Sequence, residues 1–157
     1  MRALKLVQHM KTNEERMTDA VNRRIKSSDR CSELLQKVPS EEQRQYSLAI
    51  YRDLTDWLAT ETDEGIEERY IGLGMRRAHQ GVPFRNLFWA VCIAHEYLWE
   101  HIQEECLIEE PVEFWGGVGL LRSLTKFFDR CLYFALIGYE AAGKRELANM
   151  PSAFAQR

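Results

Sequence analysis

Apolar residues recur every three or four positions along almost the whole chain, which is the spacing of one face of an α-helix. Such stripes predict a shorter helix before Pro39 and longer helices over about residues 3–27, 40–59, 66–80, 83–105 and 111–147. Alternating runs of β-branched residues are missing, as are the Asn-Gly and Asp-Gly pairs that mark tight hairpins. The pattern therefore predicts an all-α bundle of about five or six helices, in which the last two are long and antiparallel.

The residues between these stripes predict where the helices begin and end. Ser40 and Gln43 have the spacing of a capping box, in which each side chain bonds a free backbone N–H of the first turn. We expect Gly81 to end the helix over residues 66–80 in the left-handed conformation. Pro83 is expected in the first turn of the next helix, where its missing N–H costs nothing. Three glycines between residues 116 and 119 predict a kink or a late start in the last helix.

Length and composition bound the architecture and the class of partner. The 157 residues suit one domain, assigned to residues 1–150, followed by a frayed tail at 151–157. The net charge of −3 and the lack of a dense basic cluster argue against a nucleic-acid partner. Four cysteines without metal-finger spacing are typical of reduced thiols, and no stretch of about 18 uncharged apolar residues predicts a membrane span. We therefore expect a cytoplasmic protein that engages neither nucleic acid nor membrane.

Motifs for catalysis are missing from the sequence. The Gly-Gly-Val-Gly run at 116–119 lacks both a preceding strand and the spacing of a phosphate-binding loop. His95-Glu96 does not continue into a zinc-protease motif, because position 99 is a tryptophan. Glu96, Glu100 and Glu104 share the polar side of one helix, which indicates a solvated face and not an acid–base pair. The chain is therefore predicted to be no enzyme and to hold no metal.

His95 is the residue whose placement best fits ligand chemistry. It falls in a stripe that advances by four and three residues and is therefore expected on a buried face: Phe84, Phe88, Val91, His95, Leu98 and Ile102. The structural interpretation is a core histidine bonded to a carbonyl or a tyrosine. The functional interpretation is a ligand to haem or a metal, or contact with a small molecule, with Cys92 and Trp99 one turn away on either side. No cofactor is predicted, and haem at His95 is the alternative. The histidine near the start, His9, is expected to be exposed.

Two groups of apolar residues lie outside the main stripes. Trp89 and Ile93 lie on the side of the helix over residues 83–105 away from His95, and Tyr133 and Ile137 widen the stripe of the last helix. Such residues are either buried on both sides of a helix or exposed for a protein contact. We favour the contact and expect a homodimer built on the final long helices. The arginine pair at 76–77 is expected either on a solvated face or beside nearby glutamates.

The middle of the chain also resembles a known family. The residues that carry the resemblance are Leu73-Gly74, Arg77-Ala78, Gly81-Val82-Pro83, Leu87, Ala90 and Leu98-Trp99-Glu100. They are similar to the N-terminal domain of RsbR/RsbRD-type stressosome co-antagonists and related bacterial sensory regulators. Flanking segments fit the same family, so the resemblance covers roughly residues 46–140: Leu54, Trp57-Leu58, Phe128-Asp129-Arg130 and Gly138-Tyr139-Glu140.

The resemblance implies a globin-like, non-haem helical module that senses or relays a signal in the stress response, usually as a dimer. Gly74, Arg77, Gly81 and Pro83 are its structural signature, in which Gly74 permits a close helix crossing. Family members typically continue into a STAS domain, a kinase or another output domain, which implies a signalling partner of STAS-domain or kinase type. The predicted function is a non-enzymatic sensory or signal-transduction module. The alternative is a haem- or small-ligand-binding sensor centred on His95.

Overall fold

The structure is a computed structural model that describes residues 4–105 and 111–149, with side chains from Gly119 onward in the second range. Its α-helices are α1 (Leu4–Lys26), α2 (Ser32–Lys37), α3 (Ser40–Thr60), α4 (Glu67–His79), α5 (Phe84–Glu104) and α6 (Pro111–Ala148). No strand occurs in the described ranges, so the predicted all-α bundle is confirmed. None of the described helices is both long and apolar enough to cross a bilayer. The tail predicted to fray, residues 151–157, lies outside the described residues.

The closest helix contact of the bundle is a crossing of α4 and α6 at two glycines. Gly74 on α4 lies against the backbone of Ala135 and Tyr139, and Gly138 on α6 lies against the backbone of Ile71. A Cβ atom at either glycine would overlap a carbonyl oxygen of the other helix. The close crossing predicted for Gly74 is therefore confirmed, and Gly138 is its counterpart on α6.

Helices α4 and α6 run in the same direction. Asp63, just before α4, lies 3.3 Å from Arg130, and His79 at the end of α4 lies 3.6 Å from Glu146. The sequence separation is the same in both pairs, so the register between the two helices is constant along α4. This arrangement places the whole of α4 on one side of α6 and leaves the opposite side of α6 free of α4.

Helix α5 returns antiparallel along α6, as predicted for the last two helices. Near the start of α5, Phe84 packs edge-on against Tyr139 at a centroid distance of 5.4 Å. Further along α5, His95 stacks on Phe128 at 4.4 Å. The contacts move backwards along α6 as α5 advances, so the pair is antiparallel. Phe88, between these two contacts, comes level with the middle of α6.

The turn between α4 and α5 follows the sequence prediction closely. Gly81 has a φ of +74°, the left-handed cap conformation that glycine adopts without strain. The N–H of buried Val82 donates to the Arg77 carbonyl at 3.0 Å, and its carbonyl accepts from the Tyr139 hydroxyl at 2.8 Å. Pro83 lies one position before the first helical residue, as the N-cap of α5. The turn is thus fixed by bonds to α4 and to α6.

The other side of α5 is covered by α1, α2 and α3. The Tyr51 hydroxyl on α3 donates to the Ala94 carbonyl on α5 at 2.8 Å. The Asn86 side-chain oxygen accepts from the backbone N–H groups of Glu33 and Leu34 at 3.1 and 3.2 Å. Asn86 therefore caps α2 from a different helix, which fixes the short helix against the start of α5.

Two local predictions about helix starts are wrong. Ser40 is not a cap, because Pro39 occupies the N-cap position with a ψ of 139° and Ser40 is already helical. Gln43 donates instead to the Ser47 hydroxyl at 3.5 Å. The last helix begins at Pro111, as its predicted bounds have it, and is helical through the glycines at 116–119, so the late-start alternative is wrong and the kink stays a prediction.

Candidate functional site

His95 lies at the edge of the core and not within it. Its ring is half-buried and stacks on Phe128 with the planes 13° from parallel. The predicted buried stripe is therefore wrong at this position, and also at Phe88, which is 43% exposed. Partial burial lowers the pKa of His95, while Asp129 and Glu96 act in the opposite direction. The environment favours a neutral ring at pH 7.

The surroundings of His95 give no added support to a ligand site. In the part of the chain that the structure describes, the ring bonds neither a carbonyl nor a tyrosine, and Phe128 covers one of its faces. Cys92 and Trp99 are half-buried as well. Burial raises the pKa of the Cys92 thiol, with Glu96 acting in the same direction, so a thiolate is disfavoured. The ligand site at His95, Cys92 and Trp99 stays a prediction.

Clefts open elsewhere on the described part of the surface, and two of them are lined by residues other than His95, Cys92 and Trp99. The first, of about 580 Å³, lies between α1, α2 and α3 above Ile25 and Val38. The second, of about 480 Å³, lies between α2 and the start of α5 beside Phe88 and Trp89. Within the described ranges, no group of three or more His, Cys, Asp or Glu side chains is placed to hold a metal ion.

The residues predicted as a contact on α5 have intramolecular partners. Ile93 is only 8% exposed, so its apolar character is explained by burial on both sides of α5. This corrects the preferred interpretation of Ile93 as a contact residue. Trp89 is half-buried, and the Arg30 guanidinium lies 4.2 Å from the centre of its ring. That cation–π contact covers one face of the indole.

The residues predicted as a contact on α6 are exposed. Tyr133 is 61% exposed and Ile137 is 39% exposed, and Leu136 between them is 38% exposed. We call these three residues the outer face of α6. The other side of α6 is occupied by α4, where Ala135 and Gly138 are buried. Large apolar side chains clustered in solvent mark a contact surface more often than isolated ones do.

Arg77 is fully buried, which excludes the solvated position and confirms the predicted glutamate partner. Its Nη1 donates to the Gln80 side-chain oxygen at 2.8 Å and lies 3.4 Å from a Glu42 carboxylate oxygen. The guanidinium lies 4.7 Å from the ring centre of Tyr46. Hydrogen bonds to Glu42, the strongest from Arg76, lower the pKa of that carboxyl. The network joins the first turn of α3 to the last turn of α4.

One contact between titratable groups was missed by the sequence reasoning. The Nε2 atoms of His9 and His101 lie 2.7 Å apart, although His9 was expected to be exposed. His9 is half-buried and His101 is buried. The sequence carries no signal for the pair, because the two histidines belong to distant helices and each falls singly in an ordinary amphipathic stripe.

A protein-family match covers most of the chain. The family described as "RsbT co-antagonist protein rsbRD N-terminal domain" matches residues 14–149. All four signature residues lie in this range: Gly74, Arg77, Gly81 and Pro83. No curated protein and no solved structure matches the chain. The globin-like description of the bundle therefore stays a prediction.

Proposed function

The chain belongs to the family of RsbT co-antagonist RsbRD N-terminal domains, and from that premise we propose that it is a non-enzymatic module that pairs with a second copy of itself through the outer face of α6. Domains of this family are stressosome-related regulators of stress signalling and are not a known enzyme family. RsbR-type domains function in complexes with partner proteins. For this chain we propose a partner of STAS-domain or kinase type and a cytoplasmic location.

The observation that carries the pairing is the position of the outer face in the middle of a long helix. Tyr133 and Leu136 belong to a row that advances by four and three residues, the repeat with which two helices pack along each other. The row consists of Asp129, Tyr133, Leu136, Glu140, Gly143 and Leu147. Leu147 is 64% exposed, so apolar surface recurs further along the same row.

The size of α6 suits a stable contact. With a two-fold axis between Leu136 and Ile137, the two copies of α6 overlap from residue 125 to its end at Ala148, which is roughly 36 Å at 1.5 Å per residue. A stable interface buries about 800 Å² on each partner. Tyr133, Leu136 and Ile137 supply exposed apolar surface on this part of α6. A second copy that packs along α6 would cover these side chains together.

The charges on α6 favour an antiparallel pair. With a two-fold axis between Leu136 and Ile137, Asp129 of one copy faces Lys144 of the other, and Tyr133 faces Glu140. A parallel pair would instead place Asp129 against Asp129 and Glu140 against Glu140. Like charges that face each other oppose association, so the antiparallel arrangement is the one that we propose.

Light scattering on the purified chain over a range of concentrations tests the pairing. We expect a dimer for the natural sequence. Leu136→Glu places a carboxylate at the axis in both copies and should weaken the dimer roughly 7- to 50-fold, because the two leucines, each 38% exposed, together contribute about 1.1–2.3 kcal/mol on burial. Leu4→Glu is the matched control, since Leu4 is 47% exposed on α1, away from α6. A natural sequence that stays monomeric at high concentration would contradict the proposal, as would equal effects of the two substitutions.

A further inference from the structure

His9 and His101 form a hydrogen bond between α1 and α5 whose direction is set by their outer partners. Nδ2 of Asn13 donates to the His9 carbonyl oxygen at 2.9 Å. The same Nδ2 atom lies 3.5 Å from Nδ1 of the His9 ring. Nδ1 of His9 is thus an acceptor, and the His9 proton sits on Nε2. His9 then donates to Nε2 of His101, which keeps its own proton on Nδ1, 3.4 Å from the Tyr97 hydroxyl.

The pair lies at a break in α1. Asn13 has φ −114° and ψ 16°, outside the helical region, although the helix continues on both sides. The residues before this break, 4–12, form a segment that we call the N-terminal arm. Leu6 and Met10 anchor the arm in the core, each 2% exposed. His9 supplies a polar contact of the arm with α5, and it lies before residue 14, where the family match begins.

We propose that the His9–His101 pair is a proton-operated latch that holds the N-terminal arm on α5 at neutral pH and weakens its docking when His101 as well as His9 is protonated. A single added proton still leaves one proton between the two Nε2 atoms, because one of the two rings can accept it. When both rings are protonated, both facing Nε2 atoms are donors, so the hydrogen bond is lost and the two cations repel each other. Undocking of the arm uncovers Leu6 and Met10, which makes apolar surface available in acid.

The charged groups around the pair set the direction of the pH dependence. Burial is the main cause that lowers the pKa of His101, and His9 and Arg16 on α1 act in the same direction. Glu105 and Glu104 at the end of α5 raise it, and Glu105 lies 3.9 Å from Arg16. Lys5 lies one turn before His9 on α1. Because these effects together lower the pKa of His101 in the docked state, His101 binds a proton more tightly when the arm is undocked.

The latch is therefore fully closed above about pH 6.5, the ordinary pKa of histidine, and weakens as the pH falls toward the lowered pKa of the docked state. A lowered pKa in the docked state stabilises docking only while the ring is neutral. A histidine paired with a carboxylate would show the opposite pH dependence, because its raised pKa stabilises the charged ring. The latch does not depend on the pairing of α6, because α6 contributes none of its residues.

Amide hydrogen exchange of the arm, measured by mass spectrometry on the full chain at pH 7.5 and 5.5, tests the latch. With exchange times scaled for the intrinsic effect of pH, we expect a loss of arm protection at the lower pH, because the undocked arm leaves His101 with the greater affinity for a proton. His101→Gln should abolish this pH dependence, because its side-chain oxygen still accepts but does not titrate. His79→Gln, an exposed histidine on α4, is the control and should behave as the natural sequence.

Nuclear magnetic resonance supplies a second readout that does not depend on how well His101→Gln folds. The midpoint of the His101 Cε1–H titration should rise in His9→Ala, because a group that lowers the pKa of His101 has been removed. The latch is overturned if arm protection in the natural sequence is the same at both pH values. It is also overturned if His101→Gln keeps the full pH dependence, or if the His101 midpoint does not move in His9→Ala.

Discussion

Arg77 places a guanidinium with no solvent exposure between α3 and α4, where Glu42 and Gln80 provide its polar contacts. Its Nε has no hydrogen-bond partner among the described residues. A buried arginine with one unpaired N–H does not contribute its full electrostatic attraction, because desolvation of the charge offsets it. Removal of the side chain is nevertheless costly, because the ring of Tyr46 and the Glu42 carboxylate both pack against it.

At this scale we predict that Arg77→Ala lowers the free energy of unfolding by about 3–5 kcal/mol, since it leaves a cavity and a half-satisfied carboxylate. Arg77→Met should cost less, because it fills the same space without a charge. Arg76→Ala is the control: Arg76 also bonds Glu42 but its side chain is 55% exposed, so the cost should stay below about 1 kcal/mol. Urea unfolding measures all three. Equal costs for Arg77→Ala and Arg76→Ala would show that burial of the charge does not matter.

At the scale of helices, the bounds were predictable where amphipathic spacing and special residues agree. The first helix is predicted over residues 3–27 and spans Leu4–Lys26. The helix predicted over residues 83–105 is α5, which ends at Glu104. Gly81 was predictable as a left-handed cap because few other residues adopt that conformation without strain. The rotation of α5 was not predictable, because α1, α2 and α6 all contact it. A single stripe cannot describe a helix that is buried on several sides.

The details of the sites depend on contacts between distant residues, which local patterns do not encode. Gly138 was recognised only as part of a family motif, and its role at the crossing needs the register of α4 against α6. His95 was placed on a buried stripe, and only the packing of Phe128 locates it at an edge. The exposure of Tyr133 and Ile137 was anticipated because they widen an already complete stripe. Ile93 gave the same signal and is buried.

The glycine crossing gives a prediction with a control in the same helix. Gly74→Ala should destabilise the fold by about 1–3 kcal/mol, because the new methyl group would force α4 and α6 apart. Gly72→Ala, two residues earlier, meets nothing within 4 Å and should be neutral or stabilise α4 by up to about 1 kcal/mol. Thermal unfolding of the two variants measures the difference between their stabilities. A Gly74→Ala variant as stable as Gly72→Ala would mean that α4 and α6 do not approach as closely as described.

At the scale of the whole molecule, the bundle presents two features that its own packing leaves available for regulation. The outer face of α6 offers a surface for a second copy on the side of α6 away from α4. The N-terminal arm docks on α5 through two apolar anchors and the histidine pair. Both lie away from the α4–α6 crossing, so neither needs the central contact of the fold to change. Under the two proposals, the module would respond to acid at its first helix and pair through its last helix.

The pairing of α6 is tested most directly by a charge exchange measured as the dimer dissociation constant in sedimentation experiments. Asp129→Lys and Lys144→Asp should each weaken the dimer roughly tenfold, because two-fold symmetry creates two like-charge contacts of about 0.2–1 kcal/mol per ion pair lost. The double variant Asp129→Lys with Lys144→Asp should restore the natural constant, since the charges again face their opposites across the axis. Restoration requires that the two residues meet between copies. A double variant as weak as the sum of the single ones, or single variants without effect, would contradict the antiparallel pairing through the outer face of α6.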